Sequence, residues 1–289
     1  DCWINVTAPS EDEIKNLSQD LNIPVDFLTS PLDIDERPRI EVEDKNMLVL
    51  IRIPHFDKDN DIQFITVPLG IIFTDDMILT VCARKNDVIQ TFINGRIRGW
   101  STAKRSQFIL RIFSRTALIY LDYLKQINKQ TSEVEDRLER SLKNEELIEL
   151  LNFEKSLVYF TTSLRANELV MERLQKTNMI KMYPDDNELL EDVIIENRQA
   201  IEMANIHSNI LSGIMDAFAS VISNNLNVVM KFLTSVTIIL NFPVLVASIY
   251  GMNVKLPLQD WSHAFAFTMA VSLAISILGV VIFVKRKWL

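Results

Sequence analysis

Two long apolar segments dominate the last quarter of the chain. Residues 232–250 and 264–284 hold 19 and 21 positions without a charged side chain. At 1.5 Å per residue, helices of these lengths extend roughly 28 and 31 Å, which matches a bilayer hydrocarbon core of about 30 Å. We predict two transmembrane helices over these ranges. The link between them, 251–263, is short, so the two spans form a hairpin across the bilayer.

The first 98 residues show the shorter hydrophobic runs that are typical of strands. Turn residues separate five β-rich runs, and two further stretches have a helical pattern. The predicted strands are 39–43, 47–53, 63–67, 69–74 and 77–83, and the predicted helices are 14–21 and 87–93. This alternation predicts a small α/β domain with a mixed sheet over 1–98.

The pattern changes at Trp100, because no glycine or proline occurs from Trp100 to Tyr183. Apolar side chains recur there at three- and four-residue spacing, as at Phe108, Ile112, Leu118 and Leu121. Acids and bases alternate between residues 133 and 149, as on an exposed helix face. We predict a coiled-coil-like helical hairpin over 99–183, with a break near 128–132.

A long helical segment follows this hairpin, and the carboxylate of Asp185 or Asp186 is placed to cap its first turn. From there to the end of the first span, only Gly213 and Pro243 are potential helix breakers. If the helix is continuous, it extends roughly 95 Å. Its first part, 184–231, is then a stalk that continues into the membrane.

Polar side chains interrupt the first span at regular intervals. Asn227, Thr234, Asn241 and Ser248 recur every seven residues, and Met230, Thr237 and Val244 occupy adjoining positions. A period of 3.5 residues predicts a seam with neighbouring helices, and polar groups in a bilayer face protein or water. The seam is either a line of interhelical hydrogen bonds or the wall of a central pore. Periodicity alone favours the hydrogen bonds.

Two further features favour the pore. One chain offers only two spans, which are too few to enclose a channel, so a pore requires several subunits. The groups along the seam are neutral oxygens, and neither span contains a carboxylate. Neutral carbonyls and hydroxyls suit a hydrated hard cation, which keeps its water shell and donates hydrogen bonds from it.

The distribution of charge predicts the orientation in the membrane. The chain has a net charge of −8, yet residues 1–230 hold 37 acids against 25 bases. The remaining residues carry Asp260 and the bases Lys231, Lys255, Lys285, Arg286 and Lys287. Because basic residues collect on the cytoplasmic side, we predict cytoplasmic termini, a basic tail at 285–289 and an external loop at 251–263. The protein is then a multi-pass protein of the inner or plasma membrane.

Several other classes of protein do not fit the sequence. The three histidines, His55, His207 and His263, fall in different regions, and no glycine has the spacing of a phosphate-binding loop. We therefore expect no enzymatic activity, no organic cofactor and no nucleic-acid partner. The two cysteines fit a reducing cytosol. The chain begins at Asp1 without a signal peptide, and we expect that a leading segment precedes it.

A short motif stands at the external end of the first span. Tyr250-Gly251-Met252-Asn253 follows that span directly and begins the external loop. Together with the sequence Met-Lys-Phe-Leu-Thr at 230–234, Pro243 and the basic ending, it resembles the CorA family of divalent-cation channels. The resemblance continues upstream at 3–5 and 32–39, so it covers essentially the whole chain. It implies a homopentamer with a funnel-shaped cytoplasmic domain that takes up Mg2+, often with Co2+ or Ni2+.

The resemblance also implies roles for individual residues. Asn253 would form a ring of five carbonyls that receives hydrated Mg2+ at the mouth, and Gly251 and Met252 would shape the loop that presents it. Asn227 would form a second polar ring toward the cytosol, and Met230 with Leu233 a hydrophobic constriction. The full pore-lining set is Asn227, Met230, Leu233, Thr234, Thr237, Asn241, Val244 and Ser248.

In the CorA family the channel closes when Mg2+ binds acidic side chains between the cytoplasmic domains of neighbouring subunits. This sequence lacks some of the acids expected at those positions. Asp192 matches one such acid, but the positions expected for its partners hold Ser30, Pro31 and Arg115. Arg115 could pair with Asp192 and take the place of the metal. Alternatively, the register is shifted by a turn and the partner acid is Asp33, Asp35 or Glu36.

Two alternatives to a Mg2+ channel remain at this point. A zinc-transporting branch of the same superfamily shares the architecture but departs from methionine at the middle of the tripeptide, so Met252 favours magnesium or cobalt. A membrane-anchored helical scaffold without conduction would explain the helices and the spans. It would not explain the motif at 250–253 or the polar seam.

Overall fold

The computed structural model describes residues 2–95, 97, 100–140, 144–177, 180, 183–254, 256–257, 261–286 and 288. The chain divides into two compact units, Asp1–Met215 and Asp216–Leu289. The division falls inside one long helix. Each unit is described separately below.

A five-stranded mixed sheet forms the centre of the first unit, as predicted. Its strands are β1 (Cys2–Thr7), β2 (Arg39–Glu43), β3 (Asn46–Phe56), β4 (Phe64–Phe73) and β5 (Met77–Cys82). Their order across the sheet is β1-β5-β4-β3-β2. β1 runs parallel to β5, and the other neighbouring strands are antiparallel.

The sheet differs from the prediction at two places. β1 was not predicted; its residues Cys2, Asn5 and Thr7 are exposed and none is fully buried. Trp3 secures it by donating from Nε1 to Thr80 Oγ1 at 3.0 Å. The two runs predicted at 63–67 and 69–74 are a single strand, β4. Pro68 does not end this strand, because it stays paired with Arg52 of β3, whose backbone N–H bonds Asn167 instead of β4. The pairing of β4 with β5 begins only at Gly70, so the missing N–H of proline costs no ladder hydrogen bond.

Two short helices, α1 (Glu11–Leu21) and α2 (Val25–Thr29), and a single 3-10 turn (Ser30–Leu32) cover one face of the sheet. A third short helix, α3 (Asp87–Ile93), lies on the opposite face, where Phe92 contacts the Trp3 ring. A capping box starts α1, in which Ser10 and Glu13 bond each other's backbone N–H. Ile14 and Phe27 pack with Leu48 of β3 and Leu79 of β5 in a buried apolar cluster.

The helical hairpin is confirmed, but the predicted break at 128–132 is wrong. Helix α4 (Arg105–Arg140) runs through those residues, and α5 (Asn144–Thr177) follows it. The polar residues at 128–132 favoured a break, yet Ile127, Thr131 and Val134 are buried and continue the apolar face of α4. Burial of this face outweighs the weak local preference.

Helix α6 (Pro184–Tyr250) is 67 residues long, and α7 (Ala264–Lys285) has 22 residues. α6 continues through both Gly213 and Pro243, as the prediction of one continuous helix requires. At its start, the Asp186 carboxylate accepts hydrogen bonds from the Tyr183 backbone N–H at 2.8 Å and from Ser106 Oγ at 2.6 Å. Because α6 begins at Pro184, Asp186 is its third residue and not the predicted cap residue; its carboxylate bonds the N–H of the cap residue Tyr183 from inside the first turn.

Candidate functional site

Helices α6 and α7 pack closely in the second unit because small residues lie between them. A Cβ at Gly279 would lie 3.0 Å from Phe242 Cε2 and 3.7 Å from Ile239 Cγ1. Ser272 of α7 and Ser235 of α6 are also buried. Small residues at these positions let two helix backbones approach in a membrane. One face of α6 is thereby occupied by α7.

The rest of the surface of these two helices is apolar and exposed. Their apolar windows have mean hydropathies of 2.0 and 2.6, and only 6% and 11% of the window residues are buried. A core helix of a soluble protein would be largely buried. Exposed apolar helices of this length are what a bilayer requires, so the structure agrees with two membrane spans.

The polar seam lies on the face of α6 that α7 leaves open. All eight positions of the predicted pore-lining set are exposed in the single chain: Asn227, Met230, Leu233, Thr234, Thr237, Asn241, Val244 and Ser248. At 3.6 residues per turn they fall within an arc of about 120°, and the centre of that arc is about 150° from the centre of the α7-facing side. The seam is therefore available to other subunits or to water.

The hydroxyl of Thr237 is left as an acceptor on the seam. Thr237 Oγ1 donates to the Leu233 carbonyl at 2.8 Å, so its proton is used within the helix and its lone pairs point outward. Ser235 makes the equivalent bond to the Lys231 carbonyl at 2.8 Å, but it is buried on the α7 side. A water molecule bound to a cation presents hydrogens outward, and acceptor oxygens such as that of Thr237 match it.

The tripeptide 251–253 ends α6. The Gly251 N–H donates to the Ala247 carbonyl at 2.9 Å, and the Met252 N–H donates to the Ile249 carbonyl at 3.3 Å. A Cβ on residue 251 would lie 3.3 Å from the Ala247 oxygen, so glycine permits the tight turn. Met252 and Asn253 are exposed beyond it. Lys255 and Asp260 lie outside the described residues.

Asp192 lies exposed on α6, one turn before Glu196. Burial raises the pKa of Glu196, the hydrogen bond from Ser114 opposes that shift, and the Asp192 carboxylate adds to it. The Ser114 bond joins Oγ to Glu196 Oε2 at 3.0 Å. Sequence reasoning did not select Glu196 or Ser114. The spacing of four residues between Asp192 and Glu196 was the available signal, since it places two carboxylates side by side.

The residues at the positions expected for partner acids have structural contacts of their own. Arg115 Nε donates to Thr91 Oγ1 at 3.1 Å, and within the described part of one chain it forms no ion pair with Asp192. Ser30 Oγ accepts a hydrogen bond from Arg39 Nη2 at 3.2 Å. Pro31 is buried.

The alternative acids upstream of β2 are partly engaged as well. Glu36 pairs with Arg39, and Asp33 Oδ1 accepts from the Asp35 N–H at 3.0 Å in a local turn. Among the residues that the structure describes, no three Asp, Glu, His or Cys side chains are grouped as a metal site. A regulatory metal site formed within one chain finds no support in this arrangement.

Comparison with known sequences gives a match along the whole chain. Residues 2–286 match the family described as CorA-like Mg2+ transporter protein. The cobalt/magnesium transport protein CorA of Methanocaldococcus jannaschii is 29% identical over 297 residues, covering 99% of this chain and 91% of that protein. The protein of the same description from Thermotoga maritima is 28% identical over 306 residues, covering 99% and 83%.

Comparison with solved structures agrees. The complete structure of the CorA magnesium transporter from M. jannaschii superposes with a TM-score of 0.86 at 29% identity, over 99% of this chain and 91% of that one. The full-length CmaX protein matches with a TM-score of 0.74 at 16% identity, over 99% and 88%. The cytoplasmic domain of ZntB from Vibrio parahaemolyticus gives 0.61 at 11% identity, over 77% and 88%. The last two likenesses concern the fold alone.

Proposed function

Because the chain belongs to the CorA-like Mg2+ transporter family, we propose that it is a membrane channel for hydrated Mg2+, with Co2+ and Ni2+ as further substrates. The observation that carries the proposal is the family match over residues 2–286. The relatives named above are described as cobalt/magnesium transport proteins. Neither of these two relatives is described as a zinc transporter.

We propose that five copies of the chain surround the conduction path. The two membrane helices of one chain cannot enclose a channel, and the seam of α6 is exposed on the face opposite α7. Assembly around that face would cover the seam and leave α7 toward lipid. The termini would be cytoplasmic, because Lys285 and Arg286 follow the second span.

In this arrangement Asn253 receives the hydrated cation at the external mouth through its amide carbonyl. Met230 and Leu233 form the narrow apolar part of the path, and Asn227 meets the ion on its cytosolic side. The membrane potential supplies the driving force: a divalent cation gains about 4.6 kcal/mol per 100 mV, at roughly 2.3 kcal/mol per charge. No ATP is required.

The function is tested with the purified protein in liposomes. We expect uptake of Mg2+ that depends on an inside-negative potential and is inhibited by external hexaamminecobalt(III), which resembles hydrated Mg2+ but cannot lose its ligands. A mass measurement in detergent should give five chains. A protein of this mass that carries Zn2+ and not Mg2+ would favour the zinc alternative, and one that carries neither would favour the scaffold.

Replacing Asp192 by alanine tests its proposed role as a regulatory ligand between subunits. We expect higher basal uptake, and the internal Mg2+ concentration that half-closes the channel should rise at least about tenfold, a coupling energy of ordinary size for regulation. Glu191→Ala is the matched control, since Glu191 is the exposed neighbouring acid on the same helix. Unchanged inhibition by internal Mg2+ in Asp192→Ala would exclude the role.

A further inference from the structure

Asn241 is the middle residue of the first span, nine positions from either end of 232–250. At about 1.5 Å per residue it lies close to the centre of the hydrocarbon core. An amide at that depth is costly unless it has polar partners, and polar residues there are associated with ion pathways. At this depth the Asn241 amide therefore requires a hydrogen-bond partner or an ion.

The single chain provides no such partner. Asn241 is exposed, and its amide has no hydrogen bond within the described part of the chain. The neighbours that pack against α7, Ile239 and Phe242, point to Gly279 on another side of the helix. What satisfies Asn241 must come from water, from an ion or from another copy of the chain.

The surroundings of Asn241 along the seam define a short polar segment. Thr234, Thr237 and Asn241 extend over about 10 Å of helix, and apolar Leu233 and Val244 bound them below and above. The Thr237 hydroxyl donates to the Leu233 carbonyl, so toward the path it offers an acceptor. Asn241 offers a carbonyl acceptor about one turn higher.

We infer that Thr237 and Asn241 form a mid-span site in which a hydrated divalent cation pauses between the external mouth and the apolar constriction. This inference rests on the proposed function and adds a second binding site to it. The groups are uncharged, so they bind the water shell of Mg2+ without removing it. The external ring of Asn253 would capture the ion, and the mid-span site would hold it in the apolar part of the membrane.

The competing explanation is that Asn241 joins neighbouring helices by hydrogen bonds between amides. In that case its removal would weaken the oligomer, and the oligomers that remain would conduct normally. A mid-span site predicts the opposite pattern, in which the oligomer persists and conduction is lost. Flux and oligomer mass must therefore be measured on the same preparations.

The test uses the full-length protein in liposomes with Asn241→Leu and Asn241→Asp. For Asn241→Leu we expect Mg2+ uptake to fall at least about tenfold with the oligomer mass unchanged. For Asn241→Asp, added negative charge should hold the cation more tightly, so the half-saturating Mg2+ concentration and the maximal flux should both fall. Ser235→Ala is the control, because it removes a hydroxyl from the same helix on the α7 side and should leave uptake near wild type.

Uptake within twofold of wild type in an assembled Asn241→Leu oligomer would overturn the mid-span site. If Asn241→Leu does not assemble, Asn241→Asp decides, and an unchanged half-saturating concentration would overturn the site. Wild-type protein measured in parallel separates the two proposals. If the wild type takes up no Mg2+, the proposed function itself is contradicted. If the wild type takes up Mg2+ and the Asn241 variants take it up equally well, only the mid-span site is contradicted.

Discussion

Replacing Asn253 by alanine is expected to lower Mg2+ uptake at least about 100-fold while the oligomer remains assembled. A loss of that size corresponds to about 2.7 kcal/mol. Five amides that each contribute a hydrogen bond of about 0.5–1.5 kcal/mol to the water shell supply about 2.5–7.5 kcal/mol together, which is enough for a loss of this size. The measurement is Mg2+ flux into liposomes, together with oligomer mass in detergent.

The substitution should not disturb the fold, because the Asn253 side chain takes no part in ending α6. The backbone N–H groups of Gly251 and Met252 make that turn. Val254→Ala is a matched control, since Val254 is the next residue and is also exposed. Normal uptake by an assembled Asn253→Ala oligomer would exclude the mouth ring, and equal losses in both variants would point to damage to the loop.

Replacing Gly70 by alanine is expected to destabilise the first unit by about 2–3 kcal/mol, as overpacking of a tight core does. A Cβ at Gly70 would overlap the ring of Pro31, whose Cβ would lie at 3.1 Å, and it would meet Leu48 Cδ1 at 3.4 Å. Pro31 is a buried ring with little freedom to move. To make room for the added methyl group, either β4 or Pro31 must move.

Labelling of Cys82 by a thiol reagent measures this effect in the full-length protein. Cys82 is only 2% exposed, and it follows Val81, the residue that pairs with Gly70. In a Cys2→Ser background its labelling rate should rise about 30- to 150-fold, the factor for 2–3 kcal/mol when opening is rapid. An unchanged labelling rate would show that the sheet tolerates the methyl group.

Gly213→Ala provides a control in which the same substitution is expected to stabilise the protein instead of destabilising it. Gly213 lies in the interior of α6, and a Cβ there would have no atom within 4 Å. Alanine is favoured over glycine in a helix by about 1 kcal/mol. The same chemical change should therefore leave Cys82 labelling unchanged or slower. A faster rate in both variants would mean that labelling does not report on the packing of Pro31 against Gly70.

The errors of the sequence prediction share one cause. The break expected at 128–132 and the separation expected at Pro68 were both inferred from local residue preference. In the structure α4 continues because Val134 and its neighbours are buried, and β4 continues because it stays paired with β3 through Pro68. In both cases contacts between distant parts of the chain outweigh the local signal.

The contacts of Arg115 also depend on distant parts of the chain. Its charge suggested an ion pair with Asp192, but in the single chain its guanidinium bonds Thr91. The pairing of side chains 24 or 77 residues apart depends on how helices pack, and no spacing along the chain predicts it. A pairing of Arg115 with Asp192 of a neighbouring subunit stays a prediction.

Two membrane spans, the seven-residue period of the seam and the place of the Gly-Met-Asn motif follow from the order of amino acids alone. These properties depend on length, charge and periodicity, which are all one-dimensional. Three further facts required the folded structure: α7 covers the face opposite the seam, the Thr237 proton is used within α6, and Pro31 occupies the space above Gly70. Those facts depend on which distant surfaces meet, and steric fit between side chains settles that only once the chain has folded.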